Sequence, residues 1–212
     1  MDKSNELEKL DEIRTLMMRS SRFISLSGLS GVVAGLTALL GAAAAYFYLD
    51  MAKPLLSQRY SIVDSSGINW TSDALWFCLI DAALVLLISL TAGMYLTRKK
   101  AKKDGQQLLG GPAKRLAVSL LIPLAAGGAF CMILLYHGWV GLIAPSMLIF
   151  YGLALVSGSH YTLNEVRYLG ILEIILGIAA TAVIGYGLLF WAIGFGVLHI
   201  LYGIVMYVRH EQ

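Results

Sequence analysis

The sequence predicts an all-α membrane protein, with six transmembrane helices arranged as three helical hairpins and both termini cytoplasmic. Three observations predict it. The chain is 58% hydrophobic and only 14% charged, with a mean hydropathy of +0.74, whereas soluble domains carry about 25% charged residues. Apolar runs of the length that spans a bilayer, about 20 residues, recur along it. With the N-terminus inside, every Lys and Arg except Lys53 and Arg59 falls on the inner side, as expected of basic loops that resist translocation. The runs are too long, and alternate too little, for barrel strands, so they read as helices.

Residues 1–22 mix acids and bases, and residues 5–19 carry Leu7, Leu10, Ile13 or Leu16, and Met17 at helical spacing. Two readings stand for this cytoplasmic segment: an amphipathic helix on the inner surface, or a plain helical lead-in. The apolar stretch from Phe23 exceeds a signal h-region, so it is expected to stay as an anchor. The spans are placed at about 24–48, 75–97, 116–136, 139–158, 168–185 and 188–208, within a transmembrane domain over 23–208, followed by a cytoplasmic tail, 209–212. A long outer loop joins the first pair. Tight turns near Tyr136-His137-Gly138 and Gly185-Tyr186-Gly187 join the others. Trp70, Trp76, Trp139 and Trp191 all fall near the outer interface, where indoles settle. Pro123 and Pro145 are expected to kink spans three and four.

Span one carries Ser27, Gly31, Gly35, Ala38, Ala42 and Ala45, a small-residue stripe that lets another helix approach closely. The basic loop after span two offers Lys99, Lys100, Lys102 and Lys103 to anionic lipid headgroups. Its charge is also what topology alone requires. It is short and lacks a recognition motif, so nucleic acid is not an expected partner.

Ionisable residues inside spans carry the functional question. A charged carboxylate in hydrocarbon costs about 2.5–3.5 kcal/mol on insertion scales. Glu173 sits in YLGILEIILG, roughly 9 Å inside Arg167 at 1.5 Å per residue. Spans five and six flank a midpoint near 186–187, which sets Glu173 level with His199. The spacing G-x-x-E-x-x-x-G answers G-x-x-H-x-x-x-G, so Gly170 is expected opposite Gly203 and Gly177 opposite Gly196. The two are expected to touch, with Tyr202 as a third partner. Two roles are open: a proton or substrate path that could extend to Asp81, or interhelical glue. Cys78, Asp81, Cys131 and His137 can be written as a metal cluster, but they form no tight motif, and metal ligands are expected nowhere. Catalytic residues are likewise expected nowhere: there is no nucleophile elbow, phosphate loop, zinc-helix motif or dinucleotide fingerprint. An intramembrane enzyme is the least favoured class, and the identity of any cofactor is unknown.

The runs RSSRFISLSGLSGVVAGLTALLGA, SHYTLNEVRYLGILEIILG and GYGLLFWAIGFGVLHILYGIVMY resemble an uncharacterised family of bacterial multi-pass integral membrane proteins, over nearly the whole chain. That resemblance implies a bacterial cytoplasmic (inner) membrane. The function classes expected are a small proton-linked transporter or channel, or a structural or interaction subunit of a membrane complex. The expected partners are the lipid bilayer and a homo-oligomer or membrane partner subunit.

Overall fold

A computed structural model of the chain describes residues 26–56, 62–63, 69–70, 72–103 and 110–210. The N-terminal segment, the tail's last two residues and the middle of the basic loop lie outside the described residues.

Six helical rods account for nearly all of it. α1 is Gly28–Leu56, α2 Ser72–Lys103, α3 Gly111–Tyr136, α4 Ile143–Gly158 and α5 Asn164–Ala182. The sixth rod, here the last span, is continuous but changes pitch: α6 (Gly187–Trp191), a π-helical segment (Ala192–Leu198), then α7 (His199–His210). Leu, Ala, Ile and Met dominate these runs, and a helix satisfies every backbone group within the segment, as hydrocarbon demands. In the α1–α2 loop, β1 (Ile62–Val63) and β2 (Asn69–Trp70) form a two-residue antiparallel rung, Ile62 opposite Trp70.

Five rods are long and apolar enough to cross a membrane: α1 over Gly28–Leu49, α2, α3, α4 with its flanking 3-10 turns (Val140–Tyr161), and the last span. α5 has 19 residues. Its charged residues, Glu165, Arg167 and Glu173, are spread along it, whereas the other five keep a long apolar stretch nearly free of charge. α2 runs on through Arg98–Lys103 because Lys, Arg and Ala are strong helix formers. α5 begins earlier than expected and ends at Ala182. Val183 leaves helical geometry there (φ −125°, ψ 67°) and Gly185 turns the chain at φ 104°. Gly138 does the same between α3 and α4, at φ 76°. Pro123 lies inside α3, but Pro145 falls in the first turn of α4, where no helical hydrogen bond is lost. Its expected kink has no cause there.

α2 packs on α1, α1 on the last span, and α3 on α4, which in turn packs closely on α5. The last span joins these groups, touching α1 along one side and α4 and α5 along the other. Outward faces are apolar, with Leu84, Leu87, Leu121, Ile122 and Met132 all more than half exposed. A soluble monomer would not leave such a continuous surface uncovered.

The glycine seams differ from the expected pairing. Gly170 meets Gly152 of α4, where an added Cβ would stand 2.7 Å from the Gly152 carbonyl. Gly177 meets Ile149 and the Pro145 carbonyl, also of α4. Gly196 and Gly203 face α1: Gly203 meets Val32 and the Gly28 carbonyl, and Gly196 meets Leu39. Gly31 and Gly35 meet the backbone of the last span in return. Counting depth fixes the level of a residue, not which neighbour its face meets. Each glycine lets backbones close up, but between helices four and five and between helices one and six.

Candidate functional site

The site lies where α4, α5 and the last span meet. Glu173 is completely buried, and His199 is 6% exposed. Glu173 Oε1 stands 3.5 Å from His199 Nδ1, so the mirrored spacing does bring the pair together. At 3.5 Å the contact is longer than a good hydrogen bond. The imidazole is committed elsewhere. Its Nδ1 lies 3.0 Å from the Gly194 carbonyl, which can only accept, so Nδ1 carries a proton. Nε2 lies 2.7 Å from the Tyr151 hydroxyl. In the neutral ring that nitrogen accepts, and the phenol donates.

The local fold produces this geometry. The His199 backbone N–H donates to Gly196 O, leaving the carbonyl of Gly194, five residues back, for the ring. The π-helical segment, a pitch often found at functional sites, supplies that offset. Gly194 also makes room for the acid, since a Cβ there would stand 2.5 Å from Glu173 Oε2 and from Leu148 Cδ2. Trp191, Phe195 and Tyr151 pack in sequence toward the imidazole, with the Phe195 and His199 rings 5.9 Å apart.

Neither carboxyl oxygen of Glu173 has a hydrogen-bond partner among the described residues. Leu148, wholly buried, forms one wall. An ionised carboxylate in such surroundings needs a cation or donors, and a protonated one needs an acceptor. Among the described residues its one ion-pair contact is to the His199 ring, already held by two other groups. The carboxyl thus has a single imidazole beside it and no hydrogen bond among the described residues, a geometry open to proton exchange and to interhelical packing alike.

Tyr202 lies one turn from His199 and packs with Tyr151 against Leu155, Val166 and Leu169. Its buried hydroxyl has no partner among the described residues, so the third partner of the pair is Tyr151, not Tyr202. Asp81 is half-buried on α2 against Gly41 of α1, whose added Cβ would stand 3.1 Å from Asp81 Oδ2. No described side-chain contact links it to Glu173. Cys131 approaches the Ile143 carbonyl at 3.9 Å, on the far side of the bundle from Asp81 and Cys78. Among the described residues no three metal-type ligands converge.

At the other end of α5, Arg209 Nη1 meets Glu165 Oε1 at 3.3 Å, with the arginine exposed and the glutamate largely covered. Arg167 is exposed and points no charge at Glu173. Of the four lysines expected at headgroups, Lys99, Lys102 and Lys103 are exposed or nearly so, whereas Lys100 is not free. Its Nζ donates to the Leu26 carbonyl at 2.8 Å, because the end of α2 returns beside the start of α1, where that carbonyl precedes the helix.

Tyr151 is what sequence reasoning missed. It had a signal: residues equidistant from Tyr161 face one another across the α4–α5 turn, as Gly152 faces Gly170 and Pro145 faces Gly177. The same count sets Tyr151 level with Ile171, two residues from Glu173. Compared with protein-family models, curated proteins and solved structures, the chain matches none.

Proposed function

We propose that the protein is a small proton-linked transporter or channel of a bacterial inner membrane, with six spans and both termini cytoplasmic, in which Glu173 binds and releases the proton. The observation that carries this reading is the fully buried Glu173 carboxyl with neither oxygen hydrogen-bonded, 3.5 Å from a histidine whose ring is held by Tyr151 and Gly194. An intramembrane acid placed this way defaults to a functional role. The one-sided distribution of Lys and Arg supports the topology, and the resemblance supports the bacterial membrane.

A second reading has its own observation. Glu173 is sealed from outside, at 0% exposure, and it sits where three helices meet. That suits interhelical glue in a structural subunit. The two readings separate in one experiment: proton flux into liposomes, wild type against Glu173→Gln at matched reconstitution. Transport predicts flux that the substitution abolishes. Glue predicts no flux from either protein and a lower melting temperature for Glu173→Gln in detergent.

A further inference from the structure

The contact between α5 and the last span carries polar pairs at both ends. These are Glu165–Arg209 at 3.3 Å and Glu173–His199 at 3.5 Å. Both are equidistant from the turn at 186–187, so one antiparallel register runs between them. On α5, Glu165, Leu169 and Glu173 follow at four-residue steps. On the last span, His199, Tyr202, Met206 and Arg209 follow at steps of three and four. Each set therefore lines one helix face. The pairs are eight residues apart on α5, roughly 12 Å at 1.5 Å per residue.

Between them, on the face of the last span, stands the Tyr202 hydroxyl. Leu169 and Met206 are buried beside it. Among the described residues, the buried side-chain oxygens without a hydrogen bond are three: both of Glu173 and that of Tyr202. All three belong to this seam. Buried polar atoms of this kind are satisfied by water when room allows. A phenol can accept one proton while donating another.

We propose that this seam is the route by which protons, carried by water, reach Glu173, entering where Glu165 meets Arg209 and passing the Tyr202 hydroxyl. The inference rests on Glu173 being the proton-exchanging group. Each hop passes one proton from a donor O–H to an acceptor oxygen, so Tyr202 ends each passage with the proton count it began with. Asp81, packed against α1, takes no part. Arg209, 65% exposed, stands at the mouth, where its positive charge opposes the entry of protons.

The test is the initial proton flux of Tyr202→Phe and Arg209→Gln in liposomes, beside wild type and Glu173→Gln. Tyr202→Phe removes one oxygen and keeps the ring that packs on Leu155, Val166 and Leu169. It is expected to slow flux by about tenfold or more, within the range of a positioned proton-transfer group, at an unchanged melting temperature. Arg209→Gln is expected to raise flux by about twofold at low salt and by less at high salt, as a charge at a mouth does. If Glu173→Gln abolishes flux while Tyr202→Phe runs at the wild-type rate, the seam is not the route and only the proton-site reading stands. If wild type carries no more flux than empty liposomes, that reading falls and the route falls with it. Should Tyr202→Phe fail to fold, Arg209→Gln at the exposed mouth decides. A salt-sensitive rise supports the route, and an unchanged rate overturns it.

Discussion

Tyr151 and the Gly194 carbonyl hold His199, and His199 faces Glu173, so the ring's outer nitrogen depends on a single phenol oxygen. Tyr151→Phe would leave Nε2 of a 6%-exposed imidazole without its donor. An unsatisfied buried group of this kind costs about 1–3 kcal/mol. The expected outcome is a loss of that size in denaturant unfolding, together with reduced flux. Gly194 acts on the acid more directly. Gly194→Ala would press a methyl group on Glu173 Oε2 and Leu148 Cδ2, each 2.5 Å away, and overpacking costs about 1–3 kcal/mol. Unlike Glu173→Gln, it keeps the carboxyl. Flux lost in Gly194→Ala with the fold retained would show that the position of the acid matters, and not only its presence.

Among elements, the glycines divide into those in seams and those in open space. Gly35→Ala would meet the Gly196 carbonyl at 2.5 Å, and Gly203→Ala the Val32 amide at 2.5 Å. Backbone cannot swing aside as a side-chain tip can, so α1 and the last span would separate. Both variants are expected to lose about 2 kcal/mol or more in thermal or denaturant unfolding. Gly93 and Gly128 have nothing within 4 Å of an added Cβ. Their alanine variants are expected to be neutral or slightly more stable, since Ala is the better helix former by about 1 kcal/mol. Between α3 and α4, Ser119 and Ser157 bond at 2.6 Å, and Ser119→Ala is expected to cost only about 0.6 kcal/mol, the average for interhelical bonds in a membrane. Here the limits of the sequence are plain. The rods, the turns at Gly138 and Gly185, and the common level of Glu173 and His199 were legible, because length, hydropathy and antiparallel counting fix them. The partner of each glycine face was not, because rotation about a helix axis is set by neighbours that share no sequence signal with it. The π-helical offset was equally hidden. It spans two glycines, Gly194 and Gly196, that read like any other small residues in a packing stripe.

For the molecule as a whole, the testable statement is sidedness. Cysteines placed singly, with Cys78 and Cys131 replaced, at Lys103 and Arg209 on one end and at His137 and Tyr186 on the other should react with an impermeant maleimide from opposite sides. His137 and Tyr186 are expected to label in intact cells, and Lys103 and Arg209 only after the membrane is opened. All four positions are exposed, so failure to label reports the membrane and not burial. Labelling of both sets from one side would overturn the proposed topology.

The bridge formed by the last span also sets a timetable. α1 is made well before the span that begins at Gly187, yet its small-residue stripe (Ser27, Gly31, Gly35, Ala38) is buried against helices that include that later one. While the ribosome is still extending the chain, that stripe has only lipid or an insertion factor to lean on. A nascent chain stopped before Gly187 would carry both an unmatched first helix and an α5 whose buried acid has lost its roof. Quality control in the membrane would meet those two defects together, and completion of that later helix would cure both at once.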